Sequence, residues 1–234
     1  VSTFALFGAG RAYEQIRNSV CYANANVKFG LCHAGISTGE DGGSHQSVED
    51  IALMRVLPNM RVFVPCDAMQ LKKAVRAAVS INGPVYIRIA RPPRAVITDE
   101  NTPFIPGQAN IVRQGNDVCL MTTGLMVEES LKAAELLARD GVSAAVVDHI
   151  CIKPFDRDIT CDFHKRMPIL TVEEHSVIGG LGSAAAEVIA GVPGGKFGML
   201  GIMDEFGRSG RPDDLFQAYG LTPENICTRA KELL

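Results

Sequence analysis

Two histidines and two acidic residues stand close together in a glycine-rich stretch near the start of the chain. His33, Glu40, Asp41 and His45 directly follow the apolar run Val27 to Leu31. Core packing does not require this composition, whereas a polar ligand held at the end of a strand in an open α/β sheet does. We predict a ligand-binding loop here. The alternative is a solvated surface loop whose histidines satisfy only local hydrogen bonds.

Three further residues could complete such a site. Phe4 and Phe7 lie three apart among small residues, which would let a flat heterocycle approach an aromatic surface. The alternative for this pair is ordinary core packing. Arg91 ends the apolar run Pro84 to Ala90, where its planar guanidinium suits a phosphate or a carboxylate. The alternative for Arg91 is a solvated charge at a strand end.

A second glycine-rich run imitates a dinucleotide-binding fingerprint. Gly180, Gly182 and Ala185 follow a predicted strand and open a predicted helix. They do not lie at the first strand of a βαβ repeat, and no acidic residue ends the next strand at the usual interval. Close helix–strand packing explains these glycines, so NAD binding is not predicted. His175, just before them, is either structural or near a domain interface, and the sequence assigns it no role.

Apolar and amphipathic segments alternate along the chain and predict the elements that would position these residues. This βαβ rhythm predicts two parallel-sheet-rich α/β domains, at 1–91 and 107–234, with a proline-rich linker at 92–106. The predicted strands are 1–7, 27–31, 60–64, 84–90, 117–122, 142–148, 169–172 and 196–201. The predicted helices are 11–23, 47–55, 67–80, 126–139, 182–190, 212–219 and 223–234.

Capping residues and apolar spacing define several of these helices. Asp67 and Thr222 are predicted N-caps of their helices, and Ser47 is a plausible one. Gly141 fits the position after a helix end. The residues of helix 67–80 predicted to face the core are Leu71, Ala74, Val75 and Val79.

Composition and charge exclude several classes of protein. A net charge of −3 and a pI of about 6.0 give no electrostatic reason to expect nucleic acid or an anionic membrane as partner. The seven cysteines are scattered without a CxxC pair, which predicts reduced, packed thiols in a cytoplasmic protein and no zinc or other metal site within the chain. There is no apolar run of membrane-spanning length and no signal peptide. Val1 already reads as part of an internal strand, so we expect further sequence upstream.

Seven strings spread along the chain carry a resemblance to a known family. Those in the first half are STFALFGAGRAYEQIR, CHAGISTGEDGGSHQ and VYIRIARP. Those in the second half are IKPFDRD, ILTVEEH, GGLGSAAAE and FGRSGRPDDLFQAYGL. Together they resemble transketolase, a family of thiamine-diphosphate enzymes, over essentially the whole chain. The patterns GEDG-x-[ST]-HQ and RSGRP-x-x-L are nearer to transketolase than to deoxyxylulose-phosphate synthase or the oxoacid dehydrogenase β subunit.

The resemblance implies a part of the site that binds thiamine diphosphate. Phe4 and Phe7 would flank the aminopyrimidine ring of the cofactor. His45 would be the catalytic residue, near both the cofactor and the reacting end of the donor, where it would assist proton transfer or stabilise developing charge. A further aromatic residue that the family has near Gly10 is absent, which would leave a looser pyrimidine pocket.

The resemblance also implies the substrate and the reaction. His33 and Arg91 would bind the phosphate of the sugar, and Asp41 would hydrogen-bond the hydroxyl next to the reacting carbonyl. The implied reaction is reversible transfer of a two-carbon ketol unit from a ketose phosphate to an aldose, as in pentose phosphate metabolism. The chain would be a glycolaldehyde transferase of the transketolase type.

The implied fold is a pyrimidine-binding domain, incomplete at its N-terminus, followed by the transketolase C-terminal domain. In the family the activating glutamate lies upstream of the segment that begins at Val1, so it is expected there. The diphosphate-binding domain, with its GDG-type motif, has no match in these residues. The resemblance therefore implies a partner, the N-terminal transketolase subunit, which would hold the diphosphate with Mg²⁺ or Ca²⁺ in a heterotetramer or a homodimer. Alone, the chain would be inactive. The alternatives are a non-catalytic binding or regulatory subunit, or another thiamine-diphosphate-dependent synthase.

Overall fold

Two five-stranded sheets organise the computed structural model, which describes residues 1–234. The first sheet has the order β1-β2-β4-β3-β8, in which only β8 runs antiparallel to its neighbour. Its strands are β1 (Ser2–Phe4), β2 (Lys28–Cys32), β3 (Arg61–Phe63), β4 (Val85–Arg88) and β8 (Cys151–Lys153).

The second sheet has the order β10-β9-β6-β7-β5, and only β5 is antiparallel to its neighbour. Residues 118–122 and 144–148 of its central strands are almost entirely apolar, as expected where helices cover both faces of a parallel sheet. The two sheets confirm the prediction of two parallel-sheet-rich α/β domains. The strands are β5 (Asn110–Arg113), β6 (Val118–Thr122), β7 (Ala144–Asp148), β9 (Ile169–Ser176) and β10 (Phe197–Ile202).

The helices largely follow the predicted pattern. Asp67 and Thr222 cap their helices, as predicted: the side chain of Asp67 accepts from the backbone nitrogen of Gln70 at 2.7 Å. Short helical turns with π-type bonding, Leu6–Arg11 and Ile16–Tyr22, flank α1. The α-helices are α1 (Tyr13–Gln15), α2 (Asp50–Arg55), α3 (Ala68–Ser80), α4 (Met126–Arg139), α5 (Arg157–Arg166), α6 (Leu181–Ile189), α7 (Pro212–Ala218) and α8 (Pro223–Lys231).

Three local predictions were wrong. The first strand ends at Phe4, not at residue 7, and a helical turn begins at Leu6. Helix α2 begins at Asp50, and Ser47 does not cap it. In α3, Val75 and Val79 are 47% and 73% exposed. The buried face of the helix instead carries the small side chains of Ala74 and Ala78, each one position before an exposed valine.

Three elements were not predicted. Strands β5 and β8 have only four and three residues, too few for a period of two to be recognised. Helix α5 has an almost entirely polar sequence, RDITCDFHKR, and buries only Thr160, Phe163 and His164. All seven cysteines are free thiols and five of them are buried, which confirms the expectation of packed thiols. No helix combines the length and the apolar character needed to cross a lipid bilayer.

Candidate functional site

Three adjacent parallel strands end at the same edge of the first sheet and present the predicted residues there. Phe4 is the last residue of β1, His33 follows β2, and Arg91 follows β4 by three residues. The pairing register aligns Phe4 with Cys32, so these strand ends lie side by side. The carboxyl edge of a parallel sheet is where ligands of open α/β folds bind.

Four aromatic rings meet at this edge, and all four are half-buried. Phe4 and Phe7 stack with ring centroids 6.0 Å apart and planes 17° apart. His33 stacks on Phe4 at 4.0 Å. His45 meets Phe7 edge-on at 5.2 Å and Phe4 at 6.1 Å. The two phenylalanines therefore form a partly open aromatic surface next to two imidazoles, and they are not ordinary core residues.

His33 is held in an unusual backbone conformation. Its φ of 60° lies in the left-handed region, which a non-glycine residue occupies at an energetic cost. The hydroxyl of Thr38 donates to the carbonyl of His33 at 2.8 Å and stabilises this conformation. Burial lowers the pKa of His33, the positive charge of Arg91 lowers it further, and the carboxylate of Asp41 opposes both. His33 is therefore biased towards its neutral form, which can donate or accept a hydrogen bond.

Arg91 carries a partly exposed positive charge at the site. Its Nη1 donates to the carbonyl of Thr38. The nearest carboxylate oxygens belong to Glu40 at 3.5 Å and Asp41 at 3.9 Å, and the Arg91 side chain is 38% exposed. Exposed ion pairs of this kind contribute little to the free energy of folding, so they hold the guanidinium only weakly. The guanidinium thus keeps donors for an incoming anion, and Asp41 lies beside it with an exposed carboxylate.

The ligand-binding loop, residues 33–47, carries His33, Asp41 and His45 and contains the short 3-10 turn Ile36–Asp41. The side chain of Gln46, near the end of the loop, fixes this turn. The amide of Gln46 donates to the carbonyls of Ile36 at 3.2 Å, Gly39 at 2.9 Å and Arg208 at 2.9 Å. Gln46 thereby ties both ends of the loop to the segment before α7. Sequence reasoning missed the roles of Gln46 and Thr38, whose contacts are made through carbonyl groups that leave no residue-type signal.

The structure thus brings all six predicted site residues to one edge of the first sheet. They form an aromatic group and an adjoining charged group. The described residues contain no group of three His, Cys, Asp or Glu side chains placed to hold a metal ion. A cavity of 240 Å³, lined by residues 65–68, 89–90 and 92–94 with Leu71 and Leu125, includes none of the six residues.

The glycine-rich run in the second unit is used for packing. The carboxylate of Glu173 accepts the backbone N–H groups of Leu181 at 2.6 Å and Gly182 at 2.8 Å, at the start of α6. A Cβ added at Gly180 would lie 2.0 Å from the same carboxylate. The chain's own acid therefore occupies the helix N-terminus that a dinucleotide phosphate would need, which confirms the packing interpretation.

Comparison with known proteins assigns a family to both halves of the chain. Residues 1–93 match the family model for the transketolase pyrimidine-binding domain, and residues 107–226 match that for the transketolase C-terminal domain. A putative transketolase C-terminal section from Methanocaldococcus jannaschii is 45% identical over 99% of this chain and 73% of its own length. A 6-deoxy-6-sulfo-D-fructose transketolase subunit from a Clostridium species is 40% identical over 99% of this chain and 72% of its own.

Solved structures and full-length relatives agree with this assignment. A structure described as a split gene transketolase, an inactive β4 tetramer, superposes with a TM-score of 0.93 at 44% identity, covering 100% of this chain and 75% of that one. Human transketolase is 36% identical over the whole chain, which spans 38% of the human protein. With both of its α/β units matched in order and its relatives aligned along its full length, this chain belongs to the transketolase family.

Proposed function

We propose that this chain is the substrate-recognising section of a transketolase, which moves a two-carbon ketol unit from a ketose phosphate to an aldose. The observation that supports this most strongly is the continuous site at the edge of the first sheet. There the aromatic surface of Phe4 and Phe7 adjoins Arg91 and Asp41 through the rings of His33 and His45. A flat cofactor ring and an anionic sugar could bind side by side in such a site.

The residues present fit the pyrimidine ring of thiamine diphosphate. Phe4 and Phe7 are half-buried and nearly parallel, so part of the aromatic pair is accessible to a ligand. When bound, thiamine diphosphate supplies a nucleophilic carbon and an electron sink for cleavage of the bond next to a ketose carbonyl. Phe4 and Phe7 would orient the ring. His45, edge-on to Phe7, would assist proton transfer at the reacting end of the donor or stabilise the charge that develops there.

The charged group binds the sugar. Arg91 and His33 hold the terminal anion, because Arg91 keeps free donors and His33 in its neutral form can add one more. The exposed carboxylate of Asp41 accepts a hydrogen bond from the substrate hydroxyl next to the carbonyl. This division of labour orients the donor with its carbonyl towards the aromatic surface and its anion towards Arg91.

The diphosphate-binding part of the active site belongs to a partner subunit with a diphosphate-binding domain, which would also hold Mg²⁺ or Ca²⁺. We expect the family's activating glutamate in sequence upstream of Val1, and only the diphosphate site on the partner, which would close over the half-buried aromatic pair Phe4 and Phe7. The name of a similar structure, an inactive β4 tetramer of a split gene transketolase, supports the idea that a chain of this kind needs its partner. We expect an oligomer, a heterotetramer or a homodimer, and no activity from the chain alone.

A two-carbon transfer assay with thiamine diphosphate and Mg²⁺ tests this proposal. The chain, expressed together with the sequence that precedes Val1 in its gene, is assayed alone and with the diphosphate-domain subunit from the same source, and turnover is expected only from the mixture. Turnover by the chain alone would contradict the need for a partner. No turnover by the mixture would contradict the enzyme assignment and favour a non-catalytic binding subunit.

Donor choice separates the proposed residue roles. Asp41→Ala should abolish discrimination between ketose donors and leave cofactor affinity nearly unchanged. Glu40→Ala is the matched control, because Glu40 is the neighbouring acid on the same arginine and has no proposed contact with substrate. Loss of cofactor binding with unchanged donor choice in Asp41→Ala would show that its role is wrong. Donors ending in phosphate and in sulfonate should be compared, since the Clostridium relative is named for a sulfo-sugar and Arg91 can bind either anion.

A further inference from the structure

The ligand-binding loop, residues 33–47, is anchored in the second unit of the chain as well as in the first. Ile36 and Val48, near its two ends, are buried in the same apolar core as Leu200, Ile202 and Phe216. The exposed side of the loop faces the site, and its buried side therefore rests on the second sheet and α7. Whatever fixes this contact also fixes His33 and Asp41.

Three consecutive buried residues near the end of β9 connect the second unit to three different elements. Glu173 accepts backbone N–H groups at the start of α6. The Oε1 atom of Glu174 accepts the backbone N–H of Ser37 at 2.5 Å, inside the loop. Nε2 of His175 accepts the N–H groups of Ile51 at 3.1 Å and Ala52 at 3.4 Å, at the start of α2. Only Glu174 contacts the ligand-binding loop.

Arg88 connects the C-terminal end of the loop, at Ser47, to the backbone of Glu174. Its Nη2 donates to the carbonyl of Glu174 at 3.0 Å and to the carbonyl of Ser47 at 3.4 Å, and its Nε donates to both carboxylate oxygens of Asp50. Glu174 therefore holds the front of the loop through its side chain and the back through its carbonyl and Arg88. The bond goes to the backbone N–H of Ser37, so it does not depend on the side chain at position 37.

The loop approaches Glu174 so closely that one position must be glycine. Gly35 has a φ of 82°, and a Cβ added there would lie 2.4 Å from Cδ of Glu174. Any side chain at position 35 would displace either the carboxylate or the loop. The close approach is a second, independent sign that the contact between Glu174 and the loop is part of the site's construction.

We propose that Glu174 is a positioning residue, which holds the loop through the backbone of Ser37 so that His33 and Asp41 meet the sugar together with Arg91. The carbon–carbon bond chemistry takes place elsewhere, and Glu174 contacts neither substrate nor cofactor. This inference rests on the proposed function, because it gives the second unit a part in recognising the sugar anion.

The first measurement is amide hydrogen exchange of loop peptides in the full chain. Glu174→Met keeps the length of the side chain but removes the acceptor, and exchange in residues 33–47 should rise about tenfold or more as the Ser37 N–H loses its partner. Glu174→Gln keeps an oxygen acceptor and should restore most of the protection. Glu173→Gln is the control, since it acts on α6 and should leave loop exchange at the wild-type level. If Glu174→Met does not fold, Gly35→Ala tests the same contact from the other side.

The second measurement is kinetic, in the complex with the diphosphate-domain subunit. Glu174→Met should raise KM for the sugar-phosphate donor about tenfold with little change in kcat, and Glu174→Gln should recover it. Wild-type loop exchange in Glu174→Met, or a KM no higher than that of Glu173→Gln, would overturn the inference. If the wild-type complex transfers no ketol unit, the proposed function fails, and the exchange experiment still decides whether Glu174 holds the loop.

Discussion

Arg88 and Arg91 stand three residues apart at the end of β4, and the fold gives them opposite environments. The Arg88 side chain is 6% exposed, and its Nε donates to the two carboxylate oxygens of Asp50 at 3.2 and 2.9 Å. The Arg91 side chain is 38% exposed, and its nearest carboxylates, of Glu40 and Asp41, lie at 3.5 and 3.9 Å. Arg88 therefore stabilises the fold, whereas Arg91 is available to bind an anion.

The difference lies in how many donors the protein itself satisfies. Arg88 directs its donors to Asp50 and to two backbone carbonyls, and the hydroxyl of Tyr86 donates to the same carboxylate at 2.5 Å. Because the side chain is also only 6% exposed, a ligand cannot reach it, and breaking such a buried pair leaves an uncompensated charge. Arg91 is held by the carbonyl of Thr38 and by loose, solvated ion pairs, so a ligand can compete for its donors.

The largest expected effect is a difference in the stability of the protein when one or the other arginine is replaced. Arg88→Met should lower the free energy of unfolding by about 3–5 kcal/mol, because it leaves Asp50 charged and buried. Arg91→Met, the matched control, should change it by less than about 1 kcal/mol. Urea denaturation of both variants measures this. Equal losses would show that exposure does not distinguish the two arginines.

The second largest effect is on substrate binding, where Arg91 should matter more than Arg88. Arg91→Met in the complex with the partner subunit should weaken binding of the sugar phosphate roughly 10- to 150-fold, the worth of a charge-assisted hydrogen bond of about 1.5–3 kcal/mol. Arg91→Lys keeps the charge without the planar fork and should fall between. Donor KM values measure this effect. An unchanged KM in Arg91→Met would remove Arg91 from the site.

A smaller effect is expected at the residue that connects Arg91 to His33. Thr38→Val keeps the shape of a buried side chain but removes the hydroxyl that supports the left-handed His33. Stability should fall by about 1 kcal/mol, and sugar-phosphate affinity should fall by about fivefold. Thr38→Ser retains the hydroxyl and should restore affinity. Equal behaviour of the Val and Ser variants would show that the hydroxyl is not needed.

The smallest effect is a pair of opposite shifts in the titration of His33. Its pKa lies below the ordinary histidine value because of burial and the positive charge of Arg91, while Asp41 opposes them. Arg91→Met should raise the pKa of His33, since a positive neighbour disfavours the imidazolium. Asp41→Asn should lower it further, since a negative neighbour favours it. NMR titration of the full chain measures both, and shifts in the same direction would contradict the geometry.

The site was largely predictable from the sequence because it follows from topology. Chemistry-bearing residues that succeed separate strand-like runs must meet if those strands are parallel neighbours, and Phe4, His33 and Arg91 meet for that reason. Helix α4 has the predicted bounds because acidic residues open it and Gly141, with a φ of 79°, follows its end. The exposed valines of α3 were misplaced because small residues, not the largest ones, determine its buried face.

The residues that support the site could not be found in this way. Glu174 and Ser37 are 137 positions apart, and their contact uses a backbone N–H that every residue but proline carries. The acidic run Glu173–Glu174 at the end of an apolar strand gave a signal, because buried carboxylates need partners, but the sequence does not name the partners. The sequence also placed Arg88 in an apolar strand without showing that Asp50 neutralises it.

Strand β8 joins the two halves of the chain in a way that limits how they can be taken apart. It belongs to the second half of the sequence but pairs with β3 at the edge of the first sheet. The amine of Lys153 also donates to the carbonyls of Arg55 and Leu57 in the first half. A chain cut within residues 92–106 would leave β3 as an open edge, free to pair with other molecules. The two halves should therefore be co-expressed as complementing fragments, so that the second half supplies β8 to the first sheet. A chimaera that exchanges the second half must bring a strand that matches β3.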